Sequence, residues 1–400
     1  MNSRYRPSGP RLCIFVDLPV WREPGGWASS DAFLQFLAGF APSCKSVTIV
    51  ARVLPSPGVV IARASDEELH VIALPNYASI RTLLTTDVHM WSAVHDTLLR
   101  ALDHADLVWL NFGHPISHMA LQMVRRRNLA SFAVLRGDYV QDARFHAPWG
   151  ARTLSAVAMR ALLRAFAFAA ARASVPCLAL THREVNWLVN QGLRAARVQV
   201  SLIPTAILSE HSEVIEKSRD VLVVGRLDPV KGHDVLFKAL TDLHVADNRL
   251  AKLTVVGEGP ERAKLERLAN RLGIAARVEF VGPLSPGPEL WRVYGSARVL
   301  VIPSRTEGLP AVALEAMALS LPVVATAVGG LPDLLGGPAP LGWLVEPNDH
   351  IGLRRALELV LAGGAERSAR LSRATASAPQ RTIEASIATF LSAWRQWGFL

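Results

Sequence analysis

The sequence predicts an α/β protein made of two Rossmann-like, doubly wound domains, and three observations predict it. Its 400 residues exceed what one ordinary hydrophobic core organises and suit two domains of roughly 150–200 residues each. Half of the residues are hydrophobic and 19% are charged, the balance of a folded globular chain and not of a disordered one. In the second half, short runs of β-branched and aliphatic residues alternate with amphipathic helical patterns. That alternation is the pattern of parallel strands joined by right-handed helical crossovers.

Taken in order, the first half offers strands at 12–16, 46–51, 70–74, 107–111, 131–135 and 178–181. Between them, helices are expected at 30–40, 91–104, 116–126, 151–173 and 183–191. Residues 12–16 follow Arg4, Arg6 and Arg11 as the core of a signal peptide would, but Asp17 ends the run, so it reads as a first buried strand. A hinge is expected at 204–210. The second half is cleaner, with strands at 221–224, 252–256, 278–281, 299–303 and 323–325. Its helices are expected at 231–243, where Val235, Leu236, Ala239 and Leu240 share a face, and at 261–272, 289–295 and 310–319. A final helix at 385–397 follows a polar, proline-containing break at 377–382. The expected organisation is thus an N-terminal domain over 1–205, a second domain over 206–378, and a segment 379–400 whose helix returns to the first domain. Two such domains facing across a cleft would each offer strand C-termini, the place where open α/β sheets bind ligands.

Composition narrows the environment. Cys13, Cys44 and Cys177 are far apart with no C-x-x-C spacing, so neither a disulfide framework nor a zinc site is expected, and a cytoplasmic location is. No window reaches 18 uncharged apolar residues, so no transmembrane helix is expected; the richest stretch, 154–180, is interrupted by Arg160, Arg164 and Arg172. Of the net charge of +9, residues 1–205 carry +8, with 21 Lys+Arg against 13 Asp+Glu, while residues 206–400 carry 22 against 21. The first half either meets something anionic or repels itself for solubility. Arg152, Arg160, Arg164 and Arg172 punctuate an apolar helical run, and Arg125, Arg126 and Arg127 precede it. Such a basic amphipathic helix can lie on an anionic membrane surface, at the cytoplasmic face in this case, or be a long packed helix with a solvated arginine face.

Two constellations carry chemistry. Gly225 and Arg226 follow the strand 221–224, and Lys231 and Gly232 come just after, near a helix start. Helix N-terminal amides with two cations suit a diphosphate, Arg as a planar fork and Lys as a point charge; exposed cations on a strand-to-helix loop are the alternative. Glu307, Gly308, Leu309 and Pro310 follow the strand 299–303, and Glu307 and Glu315 flank the start of a helix. Carboxylates accept hydrogen bonds from sugar and ribose hydroxyls, and the amides after Glu307 suit a phosphate. Glu315 sits among Val312, Ala313, Leu314, Ala316, Met317 and Ala318, so it requires a polar partner. His114 and His118 have the spacing of a helix-face metal pair but no third ligand, and no metal site is expected.

Residues 221–361 resemble the donor-binding domain of the retaining glycosyltransferases of family 4, which have the GT-B fold. The matching words are Val224-Gly225-Arg226-Leu227, Lys231-Gly232, Val256-Gly257-Glu258-Gly259-Pro260, Val281-Gly282, Pro303-Ser304, the segment 307–315, Val328-Gly329-Gly330 and Gly342-Trp343-Leu344-Val345. The resemblance implies that Arg226 and Lys231 bind the donor diphosphate and stabilise the leaving group. It implies that Glu307 holds hydroxyls of the transferred sugar, with Gly308 and Leu309 offering amides beside it. Glu315 would hold the ribose, Gly225 and Gly257 would line the donor, and the backbone around Val281 would meet the base. It further implies a nucleotide diphosphate sugar, UDP- or GDP-linked, as co-substrate, with no cofactor and no metal. The acceptor would be a glycan, a lipid-linked sugar or a small-molecule aglycone.

Two departures stand out. Asp333 occupies a place where the family often has Glu, and the region that often carries a first-domain histidine reads Leu135-Arg136-Gly137-Asp138-Tyr139. Arg136 and Asp138 therefore become candidates for contacting acceptor or donor, with Asp138 equally suited to capping a loop. The family's glycine-rich loop after the first strand corresponds to Pro24-Gly25-Gly26-Trp27, which makes Gly25 and Gly26 candidates for an acceptor or phosphate loop, or an ordinary turn. Three other readings compete. A basic nucleic-acid-binding protein would suit pI near 10, but no RNA or DNA motif is present. A nicotinamide enzyme would need a G-x-G-x-x-G word that the chain lacks. Within the fold, an epimerase-like enzyme is harder to separate from the donor half alone, whereas a phosphorylase would need a pyridoxal-binding lysine.

Overall fold

The computed structural model describes residues 9–55, 58–77, 82–83, 88–136, 139–140, 143, 151–210, 218–245 and 249–400. The chain divides into two compact units. Met1–Arg136, Val157–Gln199 and Ile387–Leu400 form the first, and Gly137–Ala156 with Val200–Ser386 the second.

In the first unit the strands are β1 (Arg11–Glu23), β2 (Gly26–Ser29), β3 (Ser46–Val53), β4 (Ala62–Ser65), β5 (His70–Leu74), β6 (Leu107–Asn111), β7 (Ala130–Leu135), β8 (Cys177–Ala179) and β9 (Ala195–Arg197). β5, β3, β1, β6, β7, β8 and β9 run parallel in that order. All five residues of β6 except Asn111 are buried, as a central parallel strand covered on both faces requires. β1 is longer than the predicted strand. Its register shifts between Phe15 and Pro19, and its far end then pairs antiparallel with β2, which pairs with β4. Gly25, at φ +81°, makes the turn of that hairpin. Gly26 begins β2, so the two glycines expected in an acceptor or phosphate loop, or in an ordinary turn, lie at the head of a β-hairpin, and β2, β4 and β9 are strands that hydrophobic runs did not reveal.

The helices Val88–Leu102, Pro115–Arg126, Arg152–Arg172 and His182–Asn190 agree with expectation, while the predicted helix at 30–40 shortens to Phe33–Ala38. The helix Arg152–Arg172 is long and apolar enough, by length and composition alone, to cross a membrane, although its arginines leave no uncharged window of 18 residues. The last helix, Ile383–Gln396, ends inside the first unit. There the Phe390 ring stacks on Trp109 at 5.1 Å and the Trp394 ring stacks on Phe40 at 5.5 Å, within a cluster that also holds Phe36 and Phe132.

The second unit holds β10 (Arg219–Val224), β11 (Leu253–Val256), β12 (Val278–Gly282), β13 (Ala297–Ile302), β14 (Val323–Thr326) and β15 (Trp343–Val345). They run parallel in the order β12, β11, β10, β13, β14, β15, the doubly wound arrangement. Successive strand residues face opposite sides, so Val221 and Val223 pack with Phe237 and Leu357 while Leu222 packs with Trp291 and Met317. The alternation of the sequence therefore reports two cores, one on each face of the sheet.

One element differs in a way that bears on the site. The helix expected at 231–243 is split into a 3-10 turn, Pro229–Lys231, and the α-helix His233–Leu240. Gly232 separates them at φ +66°, a left-handed conformation that ends the turn and places Lys231 before the helix instead of in it. β15 and the helices Leu331–Leu335, His350–Ala362 and Ala365–Ala376 were not predicted. The proline-containing break at 377–382 contains a 3-10 turn, Ala378–Arg381.

Truncating Trp394→Ala removes a fully buried indole from the aromatic cluster. The expected cost is about 3–5 kcal/mol, read as a lower urea midpoint of the transition that reports the first unit.

Candidate functional site

In the second unit the residues singled out by sequence lie past the C-terminal ends of the parallel strands. Gly225 follows β10, Gly257 follows β11, Val281 is on β12 and Glu307 follows β13. The Gly225 amide donates to Val256 O at 2.9 Å and the Gly257 amide to Gly282 O at 2.7 Å, so these strand ends are tied side by side. Val281 is exposed at the end of its strand.

The centre is an ion pair. The Lys231 ammonium donates to Glu307 Oε1 at 2.7 Å, and the Ser304 hydroxyl donates to the same oxygen at 2.7 Å. Neither side chain is fully exposed, with 30% of Lys231 and 10% of Glu307 accessible. Two close backbone approaches bring the loops together. A Cβ at Gly232 would stand 2.0 Å from Pro303 O, and one at Gly329 would stand 2.1 Å from Glu307 O. Any other residue at either place would push the loops apart. Gly308 is held from the same side, its carbonyl accepting from the Gly330 amide at 2.6 Å.

Arg305 fastens the two loops further, a role with no local sequence signal. Its amide donates to Val230 O at 2.7 Å, and its guanidinium donates to Pro229 O at 2.6 Å, Asp234 Oδ2 at 2.7 Å and Asn348 Oδ1 at 2.8 Å. Arg305 thereby ties the 3-10 turn that carries Lys231 to the segment that carries Glu307. Arg226 differs from Lys231: its side chain is 69% exposed and pairs with Asp228 at 2.5 Å, so it reaches outward as a cation open to a ligand.

Glu315 lies deep in the helix Ala311–Ala318 and is buried. The polar partner its apolar surroundings demand is Tyr294, whose hydroxyl donates to Glu315 Oε2 at 2.6 Å. Burial pushes the Glu315 carboxyl from its ordinary 4.5 up to about 7, against the opposing pull of the Tyr294 hydrogen bond. Burial and the neighbouring Glu315 also raise the Tyr294 phenol, so it remains a donor. Leu309 packs against the core on this side, and Pro310 is the extended residue before the first helical turn, one place earlier than predicted. Next to Lys231, His233 is buried and its imidazole is lowered to about 4, chiefly by burial and then by the Lys231 charge.

The first unit presents a second polar cluster that sequence reading missed, because its members are separated by up to 97 positions. Asp17 sits at the register shift of β1. It accepts from Arg52 Nε at 2.6 Å and from the Tyr77 hydroxyl at 3.2 Å, and its other oxygen is 3.8 Å from His114 Nε2. His114 precedes the helix Pro115–Arg126, and its Nδ1 accepts from the Ile116 amide at 3.3 Å. That leaves Nε2 facing the carboxylate, buried and without a hydrogen-bond partner among the described residues. Burial would raise the Asp17 carboxyl, but His114 and Arg52 outweigh it and hold it at about 2. Arg136, at the end of β7, stacks its guanidinium 3.3 Å from the Phe33 ring centroid. Gly137 and Asp138 lie outside the described residues. Among the described residues, no cluster of three or more His, Cys, Asp or Glu is placed to hold a metal ion.

Residues 206–377 match the family model described as Glycosyl transferases group 1. The chain is 38% identical over 172 residues to a D-inositol 3-phosphate glycosyltransferase from Salinispora tropica, which covers 39% of this chain and 35% of the relative. It is 35% identical over 188 residues to a protein of the same name from Mycolicibacterium paratuberculosis, covering 44% and 41%. The chain thus spans well under half the length of these curated relatives. Two solved structures share the fold across nearly the whole chain. Sucrose-phosphate synthase from Thermosynechococcus elongatus superposes with TM-score 0.73 and 20% identity over 97% of this chain and 98% of the other. HepE from Anabaena, solved with UDP-glucose, gives TM-score 0.68 and 17% identity over 96% and 100%. The fold is GT-B.

The Glu315 carboxyl makes stability depend on pH. Its folded-state value lies above its unfolded one, so the stability it contributes is fully present below about pH 4.5 and is lost as pH rises through about 7. Glu315→Gln is expected to remove that slope and to gain on the order of 2–3 kcal/mol over the parent at pH 8 relative to pH 4.5. Urea denaturation at the two pH values measures it.

Proposed function

We propose, from the premise that this chain belongs through residues 206–377 to the group 1 glycosyl transferases, that it moves a hexose from a nucleotide diphosphate sugar to an acceptor hydroxyl with retention of configuration. The observation that carries this reading is the half-buried Lys231–Glu307 pair past the strand ends, with the exposed Arg226 on the same loop as Lys231. A diphosphate entering there exchanges the lysine's partner. Lys231 and Arg226 then neutralise the leaving group as negative charge builds on it, the largest electrostatic requirement of glycosyl transfer from a nucleotide. Because two side-chain cations supply this charge, the reaction needs no metal.

Once Lys231 turns to phosphate, Glu307 is free to accept hydrogen bonds from sugar hydroxyls, with the Gly308 and Leu309 amides beside it. Glu315 accepts the ribose hydroxyls, and the end of β12 around Val281 meets the base. UDP or GDP is the carrier, and HepE's UDP-glucose supports the former. The leaving phosphate takes up the acceptor proton, and Arg136 and Asp138 orient the acceptor. Asp17, at the register shift of β1, and His114, just past the C-terminal end of β6 where open α/β sheets bind ligands, belong to the acceptor side. The product is a polysaccharide, a glycolipid or a natural-product glycoside. Three buried free cysteines suit the reducing cytoplasm, where nucleotide sugars are made.

A panel of UDP- and GDP-sugars, scored by thermal shift and by hydrolysis, identifies the donor, because a bound ligand raises apparent stability by mass action. Lys231→Ala and Glu307→Ala are each expected to lower transfer roughly 10²–10³-fold with little loss of fold. Normal turnover by either variant would remove the site. The anomeric configuration of the product, read by NMR, is expected to match the donor, and inversion would overturn the mechanism.

A further inference from the structure

The helix Arg152–Arg172 has two faces of opposite commitment. One is built into the first unit. Leu163, Phe166, Ala167 and Ala170 are buried, and the Phe166 ring packs edge-on against Phe112 at 4.7 Å and His118 at 4.9 Å. The other is open. Leu154 is 72% exposed, Val157 53% and Phe168 64%, and Ala158, Ala161 and Ala165 complete the exposed stripe between them. At 3.6 residues per turn these positions share an arc of roughly 100° along the helix. Arg160 and Arg164 line one edge of that arc, and Arg172 stands at its end with its guanidinium 5.5 Å over the Phe168 ring. No Asp or Glu interrupts the 21 residues.

We propose that this face docks on an anionic lipid bilayer, with the helix lying in the plane of the interface. The charge selects the occupant. An apolar stripe bordered by arginines with no acid is complementary to acyl chains below a layer of negative headgroups, and arginine stems cover apolar surface while their heads stay at headgroup level. A membrane-spanning role conflicts with the packing, since the face bearing Phe166 would have to leave the core of its unit. The helix is long and apolar enough to span, yet it is anchored along one side, which fixes it as a surface element. The net charge of +8 over residues 1–205 adds long-range attraction to the same kind of surface. The proposal does not depend on the sugar-transfer reading, because it uses none of the residues of the Lys231–Glu307 loops.

Flotation of the full chain with vesicles tests it. Binding is expected to vesicles containing phosphatidylglycerol, to fall as salt rises, and to be weak on phosphatidylcholine alone. Arg160→Glu with Arg164→Glu is expected to lower binding roughly tenfold or more. Leu154→Glu with Phe168→Glu is expected to abolish it, and the milder Leu154→Ala with Phe168→Ala to weaken it if the charged pair perturbs folding, which circular dichroism reports. No flotation with phosphatidylglycerol vesicles at low salt overturns the proposal, as does equal binding to both vesicle types. A dimer in sedimentation velocity that Phe168→Glu dissolves would assign the face to a second copy of the chain and overturn it equally.

Discussion

The pairing of Lys231 with Glu307 is the interaction around which the second unit's strand ends are arranged. A half-buried ammonium needs a counter-charge, and Glu307 provides it from a different loop, 76 positions away. Bringing those loops to 2.7 Å places strict demands on the backbone between them. Gly232 and Gly329 meet them by leaving out a side chain where carbonyl oxygens already stand, and Arg305 meets them by linking the lysine turn to the glutamate segment. The pair is therefore preorganised, and under the proposed function a diphosphate replaces the carboxylate as the lysine's partner on loops already held in place.

Glu315 answers a different constraint. A carboxyl inside an apolar helix is costly unless something satisfies it, and the Tyr294 hydroxyl does so from the neighbouring helix Pro288–Ser296. Burial lifts the carboxyl to about 7, and the Tyr294 hydrogen bond pulls against that rise. It also makes the stability of the second unit depend on pH.

The first unit solves its own problem with aromatic rings. Its sheet covers one side with a cluster in which Phe390 and Trp394, from the end of the chain, meet Trp109 and Phe40 from its beginning. Those contacts dock the helix Ile383–Gln396 on the sheet of the first unit. The same unit buries one face of the helix segment 157–172 and leaves the other exposed.

The sequence by itself determined the parallel sheets and singled out the charged residues of the candidate site. Apolar runs such as 221–224 reported buried strands because a strand covered on both faces has no polar side, and Arg226, Lys231, Glu307 and Glu315 stood out as charges beside glycines or within an apolar helix. β2 (Gly-Trp-Ala-Ser), β4 (Ala-Arg-Ala-Ser) and β9 (Ala-Ala-Arg) carried no such signal, since none is a run of β-branched or aliphatic residues like the equally short β11 and β14. Tertiary structure alone decided which groups meet. Tyr294 finds Glu315, Arg305 fastens the lysine turn, and Asp17 gathers Arg52, Tyr77 and His114. It also made Gly25 a hairpin turn and exposed one face of the arginine-bearing helix. The reason is physical: burial and periodicity are local properties that a chain displays in order, whereas an ion pair or hydrogen bond between distant positions exists only once strand order and loop approach have set the distance.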